Sequence, residues 1–322
     1  MTVDGNVLII STVADMATDD VVKRLCSRGI PHYRLNTEDY PFSQTITYSP
    51  GEKEHAMLCN GRPIPQPSAV WYRRLRSPSK IQGMDEGIYE FCLQENRAAF
   101  LGSIMDLSAR WMSHPSAVWQ SEYKPYQLQV AARLGLTVPR TLVTNDPSAI
   151  RSAFAKFNGM IVKPARSGHF TQRGQEFSIF TSRVLAEHLG ELDSARLSPA
   201  IYQELVPKKF DIRITIVGSH VFAAAIDSQS DPIAEIDWRR TKNPHLPHYP
   251  TTLPKRVKSL LLDLMRSLKL TFGAIDMVQK PDGDFVFLEV NPSGQWLWID
   301  DKLGLGISDA IAGWLGRVRS DA

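Results

Sequence analysis

Two apolar runs, residues 272–278 and 285–292, flank the polar segment Gln279-Lys280-Pro281-Asp282-Gly283-Asp284 and hold three oxygen-bearing side chains at fixed spacing. An Asp-Gly pair between such runs is a strong hairpin signal. With the turn centred on Asp282-Gly283, Pro281 faces Asp284, Val278 faces Phe287, and Asp276 falls directly opposite Glu289. A four-residue loop over residues 281–284 keeps that register and spares Pro281, which has no N–H to donate, from the ladder. Side chains alternate along a strand, so Glu289 and Asn291 share a face and Asp276 joins them from across. Opposed carboxylates have Cβ atoms about 5 Å apart and repel. On an apolar hairpin that is costly unless a cation lies between them. Two carboxylates and an amide oxygen suit Mg²⁺, which takes one or two protein carboxylates and completes its shell with phosphates and water. Solvated edge residues, or Asp276 capping a neighbouring element, are the bland alternative, and the apolar surroundings argue against it. The hairpin reads as a metal site.

A Mg²⁺ site of this kind implies a polyphosphate, so spaced cations are the next signal. Lys163 ends the apolar strand Met160-Ile161-Val162, and a polar, basic stretch at residues 166–174 follows, able to fold over phosphates through its N–H groups. Lys124 opens a helix, where it is either a phosphate ligand or a surface lysine. Asp211 and Arg213 share a strand face: either a simple ion pair, or a ribose acceptor beside a guanidinium that forks onto a phosphate or carboxylate. Asp237-Trp238-Arg239-Arg240 adds two more guanidiniums. His245 and His248 lie in a proline-rich stretch and read as loop residues. Trp111, Trp119, Trp296 and Trp298 read as packing, the last two alternating like strand residues.

The chain opens β-α-β: a strand at residues 7–11, a helix at 19–28 closed by Gly29, and a strand at 33–35. No glycine-rich turn follows the first strand, so a dinucleotide fingerprint is absent. A strand at 69–74 and a helix at 86–107 follow. Ser121 is expected to cap the helix whose first turn holds Pro125 and whose buried face is Leu128, Val130, Ala131 and Leu134. Strands at 141–143, 160–163 and 179–181, a helix at 183–192, strands at 201–205, 211–217 and 221–226, and a helix at 255–268 complete the reading. The expected division is 1–118, 119–205 and 206–322.

A net charge of +3, from 37 basic and 34 acidic residues, points to no nucleic-acid partner, though it suits a site for phosphates or carboxylates. Three scattered cysteines read as reduced thiols. With no signal peptide and no apolar stretch near the ~20 residues of a membrane helix, a cytoplasmic location is expected.

These residues together resemble the ATP-grasp superfamily and, more closely, the peptide ligases that make microviridins and related graspetides. The likeness covers nearly the whole chain. It is carried by Val70-Trp71-Tyr72-Arg73-Arg74, Lys124-Pro125-Tyr126-Gln127-Leu128, Val138-Pro139-Arg140-Thr141, Asp211-Ile212-Arg213-Ile214-Thr215, Asp237-Trp238-Arg239 and Glu289-Val290-Asn291-Pro292-Ser293-Gly294-Gln295-Trp296. The Glu-x-Asn with an upstream Asp is widespread in the superfamily; the Gly-Gln-Trp-Leu-Trp extension and the early Trp-Tyr-Arg-Arg are narrower marks. The resemblance implies an α/β ATP-grasp fold: a pre-ATP-grasp domain, a small central α/β domain with lid and peptide-binding roles, and a C-terminal α+β domain. ATP would lie between the last two. Lys124 and Lys163 would hold its phosphates, Gln203-Glu204-Leu205-Val206 would read adenine largely through backbone groups, and Asp211 would meet the ribose. Arg213 and Arg239 (or Arg240) would steady the γ-phosphate and an acyl phosphate, with Asp276, Glu289 and Asn291 carrying two Mg²⁺ ions. The implied reaction joins Asp/Glu side chains of a ribosomal precursor peptide, recognised by its leader segment, to Ser/Thr hydroxyls or Lys amines, and the implied assembly is a homodimer. The alternatives are a ligase on the same scaffold that joins a free amino acid or amine to a peptide carboxylate, and a non-catalytic ATP-binding module.

Overall fold

The computed structural model describes residues 6–51, 57–64, 66–166, 168–172 and 175–317. Its first sheet grows from β1 (Asn6–Ser11), where Val7 and Ile9 face one side and Leu8 and Ile10 the other, all fully buried. Both faces are covered, the normal condition of a central parallel strand. α1 (Met16–Ser27) begins three residues earlier than its apolar spacing predicts, because Asp15 caps it, accepting from the Thr18 N–H at 3.3 Å. β2 (His32–Asn36) then pairs parallel to β1. A small antiparallel sheet, β3 (Ile46–Tyr48), β4 (Met57–Cys59) and β5 (Arg62–Pro63), precedes β6 (Pro67–Tyr72), which lies parallel on the other flank of β1. α2 (Glu86–Ile104) and β7 (Arg110–Trp111) complete a sheet of order β2-β1-β6-β7.

α3 (Pro115–Ser121) and α4 (Lys124–Arg133) follow. Ser121 does not cap the helix holding Pro125: it ends α3, and Tyr123 stands at the α4 N-cap with no side-chain cap. The physical reason is upstream, where His114 Nδ1 accepts from the Ser116 N–H at 3.3 Å and starts a separate short helix at Pro115.

The central segment contains β8 (Thr141–Thr144), α5 (Pro147–Lys156), β9 (Met160–Lys163), the hairpin β10 (His169–Gln172) and β11 (Gln175–Ser178), β12 (Ser182–Val184) and β13 (Ala200–Glu204). Its main sheet has the order β12-β9-β13-β8. Two expectations fail here. Residues 179–181 are not a strand, since the Ile179 N–H goes to Gly168 O and the Thr181 N–H to the Asp237 carboxylate. Residues 183–192 are not one helix either. Ser182, Arg183 and Val184 pair with β9, and only beyond Leu185 does the chain turn into a 3-10 helix, Ala186–Leu197. Of the basic stretch at 166–174, Ser167, Arg173 and Gly174 lie outside the described residues.

The last sheet has the order β16-β15-β14-β17-β18, built from β14 (Phe210–Val217), β15 (His220–Ile226), β16 (His248–Pro250), β17 (Phe272–Gln279) and β18 (Phe285–Asn291). Leu261, Leu264 and Met265 of α6 (Lys255–Ser267) pack with Ile212, Ile214 and Ile275, in a core that continues to Leu8, Ile10 and Val70 of the first sheet. On the opposite face, α7 (Leu297–Leu303) and α8 (Ile307–Leu315) pack with Phe272, Val217 and the α1 residues Val21 and Leu25. The first and last sheets therefore share two cores. The central sheet has a third of its own, formed by Ile150, Ala153, Met160, Val184, Leu192 and Tyr202. No helix among the described residues is long and apolar enough to cross a membrane.

In the 272–291 hairpin the structure pairs Asp276 with Glu289, as expected, but by a different route. Lys280 N–H donates to Asp284 O at 2.8 Å across a three-residue loop, with Gly283 at φ +93°. That register pairs Val278 with Val286 and Met277 with Phe287. An irregularity between Asp276 and Met277 leaves Leu288 as an extra residue on β18, and the shift restores Asp276 opposite Glu289. The Phe287 N–H at this bulge donates instead to Thr137 O at 2.8 Å.

One buried amide docks α4 on this strand. Gln127 Oε1 accepts from the Val290 N–H at 2.9 Å, while its Nε2 donates to Val290 O at 2.8 Å and also to Ser121 O. β18 is an edge strand, so Gln127 occupies backbone groups that no further strand reaches. Replacing it with Leu strands a buried N–H and two carbonyls. We expect Gln127→Leu to destabilise the fold by about 2–4 kcal/mol in urea unfolding; a loss below about 0.5 kcal/mol would contradict this role.

Candidate active site

The site is assembled where β9 of the central sheet approaches the β14, β17 and β18 ladder. Glu289 leaves β18 beside the start of α4, where Lys124 Nζ stands 3.0 Å from its Oε2. Gln127 lies one helical turn beyond Lys124 and binds the residue after Glu289, so the same contact that docks the helix positions this pair. Burial would raise the Glu289 carboxyl, but Lys124 and Lys163 outweigh it and hold it down to about 2, well below the usual carboxylate range. Glu289 is ionised throughout the neutral range.

Asp276 lies opposite Arg213 in the β14–β17 pairing. Arg213 Nη1 reaches both Asp276 oxygens, at 2.9 and 3.0 Å, and Nη2 donates to Gln295 O at 2.8 Å. Asp211, two residues back, bonds Lys208 at 2.8 Å. The strand-face ion pair between Asp211 and Arg213 is therefore not formed; each has taken a different partner. Asn291 is exposed, and its Oδ1 accepts from the Ser293 N–H at 3.0 Å. Gly294 then passes close under β17: a Cβ there would meet the Ala274 Cβ at 2.3 Å and Arg213 Nη2 at 3.1 Å.

Lys163 is buried at the end of β9. Burial pushes its ammonium down to about 8, partly opposed by Glu289 and reinforced by Lys124. Arg239 sits in a 3-10 turn capped by Asp237, whose carboxylate accepts from the Arg239 N–H (3.2 Å), Nε (2.8 Å) and Nη2 (2.6 Å). Its hydrogen bond to Asp237, and the nearby charges of Glu289 and Asp276, raise its guanidinium. Arg240 turns away, donating to Ser182 Oγ at 2.6 Å. In the segment Gln203 to Val206, Gln203 Nε2 donates to Thr141 Oγ1 at 2.9 Å and Glu204 forks with Arg140. The N–H groups of Glu204 and Leu205 are taken by Arg140 O and Gly159 O.

Three residues with no role assigned from sequence complete the arrangement. Arg73 is buried, 1% exposed, with its guanidinium 4.7 Å above the Trp296 ring. It donates to Ser293 O at 2.5 Å and Gln295 Oε1 at 3.0 Å, and its Nε lies 3.4 Å from Asp15. Lys208, against Asp211, was likewise given no role from sequence. The signal for Arg73 was the Trp-Tyr-Arg-Arg run closing an apolar strand; Asp15 and Lys208 carry no comparable mark.

The donor set fits Mg²⁺. Asp276 and Glu289 oppose each other in the ladder, Asn291 is one strand period further on, and every donor atom is a hard oxygen. Among the described residues no group of three or more His, Cys, Asp or Glu is placed to hold a metal ion, so the candidate set is these two carboxylates with an amide oxygen.

A family model described as the MvdD pre-ATP grasp domain matches residues 6–118. The macrocyclase MdnC of Microcystis aeruginosa MRC, solved bound with precursor peptide MdnA, is 32% identical over 96% of this chain and 99% of that one, with a TM-score of 0.86. The Chryseobacterium gregarium RiPP-associated ATP-grasp ligase, solved with ADP and a leader and core peptide, is 29% identical over 97% and 96% of the two chains, also at 0.86. Beta-citrylglutamate synthase B of Danio rerio is 24% identical over 216 residues; the chain spans half the length of that curated relative.

With a nucleotide phosphate against Lys163, as its sequence leads one to expect, binding would be proton-linked. An anionic phosphate beside it favours the charged form and raises its pKa above about 8. At pH 8 about half a proton per site should therefore be taken up on binding MgADP, and almost none at pH 6, where Lys163 is already charged. Calorimetry in buffers of different ionisation enthalpy reads this directly. The uptake should vanish in Lys163→Met, and a buffer-independent heat at pH 8 in the wild type would sink the assignment.

Proposed function

Because the chain belongs to the RiPP-associated ATP-grasp ligases, we propose that it activates Asp or Glu side chains of a ribosomal precursor peptide with ATP and closes side-chain ester or amide rings. The observation that carries this reading is the opposed Asp276–Glu289 pair, with Lys124, Lys163, Arg213 and Arg239 gathered round it. Such a charge pattern suits phosphoryl transfer to a carboxylate, where the protein contributes positioning and neutralisation and no side-chain nucleophile is required.

The substrate carboxylate oxygen attacks the γ-phosphorus and ADP leaves, giving an acyl phosphate. A hydroxyl or amine of the same peptide then attacks the acyl carbon, phosphate leaves with the electron pair of the broken C–O bond, and the nucleophile's proton passes to the departing phosphate or to solvent. Two Mg²⁺ ions held by Asp276, Glu289 and Asn291 would supply charge neutralisation between the nucleotide oxygens. Lys124 and Lys163 neutralise phosphate oxygens; as Lys124 turns to a phosphate it releases the Glu289 carboxylate it now binds. Arg213, anchored by Asp276 and Gln295 O, and Arg239, anchored by Asp237, present guanidinium edges to the transferring group, while Arg240, turned to Ser182, stands outside it. Asp211 meets the ribose, and residues 203–206 lie along the base. The enzyme is expected to read a leader segment of its substrate and to work in the cytoplasm as a homodimer, and its microviridin-like marks support a graspetide precursor as that substrate.

Intact-mass spectrometry of acidic, Ser/Thr/Lys-bearing precursor peptides incubated with ATP and Mg²⁺ tests the proposal. Losses in steps of one water (~18 Da), abolished in Glu289→Ala, are expected. A gain of mass from an added amine would instead identify a free-amine ligase, and ATP binding without phosphate release with every candidate peptide would identify a binding module. Water loss that persists in Glu289→Ala would remove the hairpin from the mechanism.

A further inference from the structure

A cavity of about 710 Å³ opens beside the metal-type hairpin at the carboxyl end of β6, between α2, α3 and the 293 loop. Five arginines line it (Arg73, Arg74, Arg76, Arg97 and Arg166) against two glutamates, Glu90 and Glu122. Two of these cations are committed: Arg73 to Asp15 and the 293–295 loop, and Arg166 to Glu122 at 2.8 Å. Arg74 sits close enough to Asp15 to help hold that carboxyl below its ordinary range. Arg76 and Arg97 are exposed, and neither has a carboxylate within ion-pair reach among the described residues. The wall behind them is aromatic, Tyr40, Tyr72, Phe100 and Trp119, with Tyr72 and Trp119 joined by a 3.1 Å hydrogen bond.

Cations left without counter-charges over an aromatic wall make an anion-binding surface, and planar guanidiniums match carboxylates in particular. The volume suits several residues of an extended chain. The floor leads to the reacting centre: Ser293, in the cavity wall, is two residues from Gln295, whose carbonyl holds Arg213. The cations assigned to the nucleotide, Lys124, Lys163 and Arg239, are not in this lining. Building on the peptide-ligase reading above, we propose that this bay binds acidic residues of the peptide substrate other than the one being activated, with Arg76 and Arg97 taking their carboxylates. It thereby holds a carboxylate-rich segment in line with the Asp276–Glu289 hairpin.

The test uses a fluorescein-labelled peptide bearing four glutamates and its glutamine counterpart, titrated by anisotropy into the full chain and into the Arg76→Gln/Arg97→Gln variant. MgADP affinity is measured on the same preparations. Both arginines are on the surface, so the variant should melt with the wild type. The wild type should prefer the glutamate peptide, and the variant should lose about tenfold or more on it, little on the glutamine peptide and nothing on MgADP. The preference should shrink as salt rises. A variant that keeps wild-type affinity for the glutamate peptide, an equal fall for both peptides, or no glutamate preference in the wild type would overturn the proposal. A selective loss of MgADP affinity would assign the bay to nucleotide phosphates and overturn it too. A wild type that closes rings while the variant binds the glutamate peptide unchanged defeats the bay alone. Selective, arginine-dependent glutamate binding without water loss from any peptide supports the bay and defeats the ligase reading.

Discussion

Like charges opposed across a β-ladder set the terms for the rest of this molecule. Asp276 and Glu289 face each other on strands whose other residues are almost all apolar, and neither can be left uncompensated there. Each is met by a cation from a different element: Arg213 from the neighbouring strand and Lys124 from the head of α4. Both cations are fixed in turn, Arg213 by the Gln295 carbonyl and the Lys124 helix by Gln127. Counter-charges that are short-range and anchored, yet replaceable by a stronger ion, suit a site where phosphates and metal arrive together.

The architecture explains why three sheets contribute. The first and last sheets share two continuous cores, so the ladder carrying Asp276 and Glu289 rests on a common foundation with β1 and β6. The central sheet, with its separate core, contributes Lys163 and the 203–206 segment from the other side. A buried lysine pushed down to about 8 is tolerable there because carboxylates across the gap partly offset its desolvation.

Most of the strands and long helices were legible because their burial patterns have the period of the structure: β1, β14 and β17 are apolar runs, and α6 is amphipathic. The Asp276–Glu289 pairing was legible too, though the reasoning reached it through two offsetting shifts. An odd three-residue loop moves the register by one, and the extra Leu288 moves it back. Local patterning carries no information about a bulge whose freed N–H goes to Thr137, a residue 150 positions away. Residues 179–185 failed for the same reason, since their amides are claimed by β9, Gly168 and Asp237. Ser121 misled because two short helices abut, and a cap residue for one is also a good final residue for the other. Arg73 was visible as a residue but not as a contact, since Ser293 and Gln295, to which it donates, lie more than 200 positions downstream.

That last contact bears on how such a chain can be rearranged. The Arg73 guanidinium belongs to the first sheet, yet it is held by Asp15 on one side and by Ser293, Gln295 and the Trp296 ring on the other. Recombination that exchanged the first sheet for a foreign one would place a different side chain under the 293–295 turn, leaving Ser293 O and the Gln295 side chain without the partner they share. The first hundred residues and the turn after β18 are thus a single inheritable unit, although nearly two hundred positions of sequence separate them. Modular exchange in this architecture has its natural seams around the central sheet instead, whose core shares no residue with the other two.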